Sequence, residues 1–337
     1  MKAALYYTCM KEDAVILRSL LEEILGNLPD DDKTGILLSG GIDSSVLACI
    51  LLNKGRALRS VSTSFPGLPM YDETEYVEII KKKYPRLETN YFTPLDIDLL
   101  LELRQLLAII KEPVIFGTDL LLYLMMRKAK ELGIVNLITG GWADELIGGY
   151  DLFLLAKAYD DFKGFKLKEA SVNLSEYMLR SKMARSFSWP KLIKDLSARG
   201  VKRSLLFFKP GIPDKKNICR SQKIAKAVGI NFIMPYTDKR IVGLCGNLAS
   251  ERLICRGQTK VILKEAAADI VPEITLKRRQ KFCCPAPEAV WLFKNKENIM
   301  RLEDRRLIKE YKRFLKKQER RYYEGLWLAL SNACMPK

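Results

Sequence analysis

The chain reads as an α/β protein: a parallel, twisted sheet with helices on both faces, followed by a mostly helical C-terminal extension. Three features carry that reading. Short strand-like runs alternate with helical periodicity from Ile36 to Thr139, two glycine-rich turns each directly follow an apolar run, and strand character fades after about Ala156, where the chain turns basic.

The elements follow in order. Residues 11–28, KEDAVILRSLLEEILGNL, predict a leading helix with Val15, Ile16, Leu20, Leu21, Ile24 and Leu25 on one stripe. Gly26-Asn27 stops it, and Pro29 with three aspartates forms a polar link. The stretch ILLSGGIDSSVLACILL, Ile36–Leu52, is a strand, a tight turn and a helix start. Leu58–Thr63 is a second strand, Thr74–Lys83 a helix and Leu87–Phe92 a third strand. Leu99–Ile110 is an apolar helix broken at Glu112-Pro113, Asp119–Leu132 another helix, and Ile134–Thr139 a buried strand. Lys296–Trp327 predicts one long amphipathic helix with Leu307, Tyr311, Phe314, Leu315, Tyr322 and Leu326 on its apolar side. The expected organisation is an N-terminal helix packed on the core (residues 1–33), a nucleotide-binding core (34–160) and a helical, basic extension completing the site (161–337).

Composition bounds the chemistry. Among 337 residues, 57 Lys and Arg against 40 Asp and Glu leave a net charge of +17, which favours polyanionic partners. Histidine is absent, so Ser-His-Asp and Cys-His catalysis and histidine metal sites are excluded, and proton transfer falls to carboxylates, Lys, Tyr, Cys or solvent. The eight cysteines form no C-x-x-C pair, and zinc is not expected. No long uncharged apolar run occurs and the N-terminus is charged early, so a cytoplasmic protein without a membrane segment is expected. Arg180–Lys209 carries nine basic residues, one acid and several aromatics, a composition open to RNA contact but more often that of a solvated face with its aromatics turned inward, which is the expectation here.

The two glycine-rich turns concentrate the polar chemistry. In the first, Gly40 and Gly41 let the backbone approach a ligand, Ser39, Ser44 and Ser45 supply hydroxyls, and the helix start behind them suits an anion. Asp43 beside such a site either caps the helix or shares a divalent cation with phosphates. The turn lacks the lysine of the common γ-phosphate loop. The second, Gly140 to Asp151, holds four glycines and three acids directly after a strand. Asp43 from one loop and Asp144 from the other would hold one Mg²⁺ bridged to phosphates. Asp144 and Glu145 also suit a helix's first turn for electrostatic reasons alone.

In this order the motifs resemble the synthetase domain of the asparagine synthetase and β-lactam synthetase family, within the ATP-pyrophosphatase superfamily. LLSGGIDSS resembles the SGG-x-DS loop, FPGLPMYDETEY the acidic segment after the second strand, and TGGWADELIGGYD the SG-x-GADELFGGY loop. PYTDKRIV, GQTKVILKEAAADIVPEI and the basic run ending at Phe282 resemble three later family segments. The resemblance implies an ATP-pyrophosphatase fold. It implies that Ser39, Gly40, Gly41, Asp43 and Ser44 hold the pyrophosphate of ATP, that Leu38, Thr63, Thr139 and Gly140 line the nucleoside site, and that Asp43 and Asp144 bind Mg²⁺. Lys260 would stabilise charge during adenylation, with Lys277 and Arg279 as supporting cations. The implied activity is an amide-forming ligase: a small carboxylate such as aspartate is adenylated, then passed to ammonia or another amine with release of AMP.

Two departures qualify the resemblance. No glutaminase domain opening with a cysteine nucleophile is present, so free ammonia, another amine or a separate ammonia-supplying subunit is expected. At Gly141, where family members carry Glu or Tyr to help deprotonate the amine, this chain has no side chain. Glu112, Asp119 and Tyr150 are the nearest substitutes. An RNA-modifying ATP-pyrophosphatase acting on tRNA and a degenerate nucleotide-binding paralogue are the alternative readings.

Overall fold

The structure is a computed structural model and describes residues 11–69, 71–180, 215–278, 286–317 and 321–335. At its centre is β1 (Thr34–Leu37), flanked by β2 (Leu58–Thr63) and β3 (Leu87–Phe92) on one side and by β4 (Asn136–Ile138) and β5 (Asn231–Ile233) on the other. All pairings are parallel, and Ile36 stands in register with Ser60 of β2 and Ile138 of β4. A parallel sheet must be covered on both sides, and β1 is buried at every position.

Successive strand residues feed opposite cores. Ile36, Leu38 and Ile138 join the face covered by the helices Glu12–Gly26, Ile42–Asn53, Thr74–Lys83 and Val261–Ala266. Leu37 and Leu137 join the opposite face, under Leu99–Ile110, Thr118–Glu131, Lys215–Val228 and the C-terminal helices with Trp291, Tyr311, Phe314 and Trp327. From β1 the chain winds outward through β2 to β3, then crosses the second face to enter β4 on the other side of β1. The order therefore reverses between β1 and β4, and ligands of open α/β sheets bind beyond the carboxyl ends of the strands at such a reversal.

Several expected elements shift. The leading helix buries Ala14, Leu17, Leu21 and Leu25, while Val15 and Ile16 are exposed, at 46% and 42%. The strand expected over Ile134–Thr139 contracts to Asn136–Ile138, with Val135 and Asn136 both donating to Lys33 O at 2.8 and 3.0 Å at its start. The single C-terminal helix is three: Lys296–Met300, Arg305–Lys317 and Arg321–Cys334. The first break falls where Glu303 adopts φ 53° and the Asp304 carboxylate accepts from Leu307 N at 2.7 Å, capping the next helix. The three-residue β5 was not expected at all. Among the described residues no helix is long and apolar enough to cross a membrane.

Candidate active site

The first loop leaves β1 through Leu38, whose amide still donates to Val61 O at 3.1 Å, and enters the Ile42–Asn53 helix at Gly41. Gly40 sits at φ 68°, and a Cβ there would lie 2.5 Å from Cβ of Tyr76. Both backbone conformation and space therefore demand glycine. The serines knit the turn: Gly41 N donates to Ser39 Oγ at 3.3 Å, and Ser45 Oγ donates to Gly41 O at 2.7 Å. The hydroxyls of Ser39 and Ser44 lie 3.3 Å apart. The result is a rigid concave start to a helix, the arrangement in which backbone N–H groups receive an anion.

The second loop leaves β4 through Thr139, whose amide donates to Ile233 O at 3.0 Å and whose hydroxyl accepts from Gly141 N at 3.1 Å. Gly140 is pressed against the first loop. A Cβ at that position would come within 2.6 Å of Ser44 N and 2.9 Å of Asp43 C. Gly141 differs: a Cβ there meets only Thr139, at 3.5 Å, and its φ is ordinary. Trp142 takes the left-handed position, at φ 75°, and caps the short helix Ala143–Ile147 that carries Asp144 and Glu145.

Lys260 closes the site. It arrives by the hairpin Ile254–Cys255/Gln258–Thr259 and is itself left-handed, at φ 56°, as the cap of Val261–Ala266. Its ammonium lies 2.5 Å from Asp43 Oδ1 and 2.5 Å from Asp144 Oδ1, with the lysine side chain 4% exposed. A buried ammonium is tolerable only with such partners. Gly149 leaves room for the group, because a Cβ there would overlap both the Asp144 carboxylate and Lys260 Cε. The hairpin is anchored from behind: Asn173 Oδ1 accepts from Gly257 N at 2.7 Å, Asn173 Nδ2 donates to Asp161 at 2.8 Å, and Lys157 pairs with Asp161.

Two carboxylates that converge on one cation, each at 2.5 Å, suit a small divalent ion that completes its shell with phosphate oxygens and water. Asp43 and Asp144 are the donors that would hold Mg²⁺ in such an arrangement. Among the described residues no group of three or more acidic or cysteine side chains gathers to hold a metal by itself.

Leu38, Thr63, Thr139 and Gly140 lie at the carboxyl ends of three adjacent strands, around the first loop. Lys277 is placed differently: its side chain is 74% exposed and pairs with Glu273 one turn back. The neighbouring Arg278, 9% exposed, pairs with Glu73 and stacks 3.9 Å over the Tyr76 ring, whose Cβ backs Gly40. Arg279 lies outside the described residues, as do Cys9, Cys283, Cys284 and nearly all of Arg180–Lys209. Glu112 and Asp119 both pair with Arg220, at 3.0 and 2.6 Å, and burial raises the Asp119 carboxyl above its ordinary range. Tyr150 OH donates to Glu145 at 2.5 Å; burial nevertheless keeps Glu145 above its ordinary range. Tyr236, whose buried hydroxyl donates to Asp43 O at 3.1 Å, was not singled out from the sequence, although it stands inside the quoted PYTDKRIV.

The sequence model of the asparagine synthase family matches residues 17–318. A glutamine-hydrolysing asparagine synthetase of Bacillus subtilis is 22% identical over 324 residues, covering 83% of this chain and 50% of that protein. A glutamine-hydrolysing asparagine synthetase of Asparagus officinalis is 28% identical over 176 residues, 44% of this chain and 27% of the relative. One of Arabidopsis thaliana is 29% identical over 162 residues, 44% and 28%. The chain thus spans about half the length, or less, of these relatives. With a match across most of its length, the chain belongs to the asparagine synthase family.

Proposed function

We propose that this chain is an ATP-dependent amide-forming ligase that adenylates a small carboxylate, aspartate or a near relative, releases pyrophosphate, and passes the acyl group to ammonia or another amine with release of AMP. The amine donor is free in solution or a separate ammonia-supplying subunit. The carrying observation is Lys260: one buried ammonium at 2.5 Å from both Asp43 and Asp144, beside a glycine-rich helix start. The proposed division of labour places residues 1–33 as a packing helix, 34–160 as the nucleotide-binding core and 161–337 as the extension that delivers Lys260.

In adenylation an anion attacks the α-phosphorus of a polyanion, so cations must be fixed where charge gathers. The backbone N–H groups of Gly41 to Ser44 and the Ser39 and Ser44 hydroxyls receive the pyrophosphate. Leu38, Thr63, Thr139 and Gly140 line the nucleoside. Asp43 and Asp144 would hold Mg²⁺, which would supply charge withdrawal from the phosphate oxygens. Lys260 then turns its ammonium to the α-phosphate and pyrophosphate, and Arg278 steadies the Tyr76 ring that backs Gly40. In the second step the attacking amine must lose a proton. With no side chain at Gly141, the base we assign is Glu145 of the same loop, whose burial-raised basicity suits that task.

The test is exchange of labelled pyrophosphate into ATP across a panel of carboxylates. A carboxylate-dependent signal is expected, with Lys260→Ala and Asp43→Ala each reducing it by roughly 10²–10³-fold. Undiminished exchange in both variants refutes the site.

A further inference from the structure

The helices Asp151–Lys163 and Leu167–Arg180 form an antiparallel hairpin, and its tip is unlike any other turn described. Phe162, Phe165 and Leu167 are 63%, 90% and 61% exposed, and Phe165 is the most exposed large apolar side chain among the described residues. The turn closes as a left-handed helix stop: Phe165 N donates to Phe162 O at 3.1 Å and Lys166 N to Asp161 O at 2.8 Å. The left-handed position, normally glycine, is occupied by Phe165 at φ 58°, although Gly164 stands one residue earlier. Phe165 therefore carries two costs, a disfavoured backbone, held by those two hydrogen bonds, and a ring that is 90% exposed. Lys163, Lys166 and Lys168 interleave with the apolar residues, all exposed, with no acid in residues 162–168. Lys163 lies over the Tyr159 ring and Lys166 reaches Glu251 at 3.3 Å, a surface pair that an anionic partner can displace.

We propose that this tip is a docking point for an anionic phospholipid surface. A convex wedge of two phenylalanines and a leucine, collared by lysines, enters the boundary between headgroups and acyl chains while the ammonium groups meet lipid phosphates. A protein groove would want a flatter apolar face. A single-stranded nucleic acid would use the rings for stacking but gain nothing from Leu167, which has no π-face. The contact is peripheral and reversible, since three side chains supply modest apolar area.

The experiment is co-sedimentation of the full chain with phosphatidylcholine vesicles and with mixed phosphatidylcholine–phosphatidylglycerol vesicles. Binding is expected to the mixed vesicles only, to weaken with salt, and to fall roughly tenfold in Phe165→Ser, whose net charge is unchanged. Equal binding by wild type and Phe165→Ser would reduce the effect to the bulk +17 charge and overturn the proposal. Phe165→Trp gives an independent reading: its emission should shift to the blue on anionic vesicles, and no shift refutes insertion. Loss of oligouridylate binding by Phe165→Ser, with vesicle binding intact, would assign the tip to nucleic acid and overturn it likewise. Pyrophosphate exchange should be unchanged in both variants, which separates this test from that of the ligase reading.

Discussion

The two glycine-rich loops look alike in sequence and are built differently. In the first, Gly40 is demanded twice, by φ 68° and by the Tyr76 Cβ that a side chain would strike at 2.5 Å. In the second, Gly140 is demanded by the backbone of Ser44, but Gly141 by nothing: its φ is ordinary and its nearest neighbour 3.5 Å away. The position needing left-handed freedom is the next one, filled by Trp142. Hence the loop proposed for pyrophosphate is closed by steric necessity, whereas the loop facing the proposed amine step keeps one position of unused space. A glycine conserves backbone freedom only where the backbone uses it. At 141 the missing side chain is a chemical feature.

The strongest way to break this contrast is Gly140→Ala. Its Cβ must displace backbone of the first loop, so a loss of about 1–3 kcal/mol of stability is expected, with collapse of pyrophosphate exchange. Wild-type stability in a denaturant titration would show that the loops are not in register as described. Next comes Gly141→Glu, whose Cβ meets only ordinary contacts. Ammonium-dependent AMP release should rise by roughly 10², the lower end of what a positioned base provides, with exchange unaltered. An unchanged rate would locate amine activation elsewhere.

A smaller, finer test uses pH. Glu145 accepts a proton only when ionised, and burial raises its carboxyl while the Tyr150 hydroxyl partly opposes the shift. Amine-dependent turnover should therefore climb with pH through an inflection above the ordinary glutamate range. Tyr150→Phe should move that inflection further up, and Glu145→Gln should abolish it; a profile indifferent to both variants removes Glu145 from the proton path. Least of all, Gly141→Ala should stabilise the protein by roughly 0.4–1 kcal/mol, because an unstrained alanine restricts the unfolded chain, and thermal melting reads this directly.

Much of the fold was readable because local signals and tertiary structure agree. Leu58–Thr63, Thr74–Lys83, Leu87–Phe92 and Leu99–Ile110 form at the expected bounds, each a run of one periodicity between clear breakers. The failures have local causes. The leading helix turns Ala14 and Leu17 inward against neighbouring helices, and a hydrophobicity count sees little in an alanine. Asn231–Ile233 is three residues long, too short for periodicity, and exists because β4 offers it an edge. The C-terminal pattern keeps helical spacing across 301–304, but Asp304 caps a new helix there. In the site, the meeting of Asp43 and Lys260 across 217 positions follows from no local property, and only ordered motifs pointed to it. Which of the adjacent Lys277 and Arg278 turns inward depends on where the Glu273–Lys277 helix ends, a one-residue matter that sequence spacing does not resolve.

Lys260 combines a left-handed backbone with a desolvated ammonium, and both features oppose folding while serving the proposed chemistry. Lys260→Gly would relieve the first but remove the ammonium that neutralises two desolvated carboxylates, a net loss of about 3–5 kcal/mol. A laboratory selection that rewards thermal endurance alone would therefore keep the lysine, because the residue proposed for the chemistry also ties the two loops together. Stabilisation campaigns on this scaffold should therefore hold residue 260 constant and seek their gains at relaxed positions such as 141.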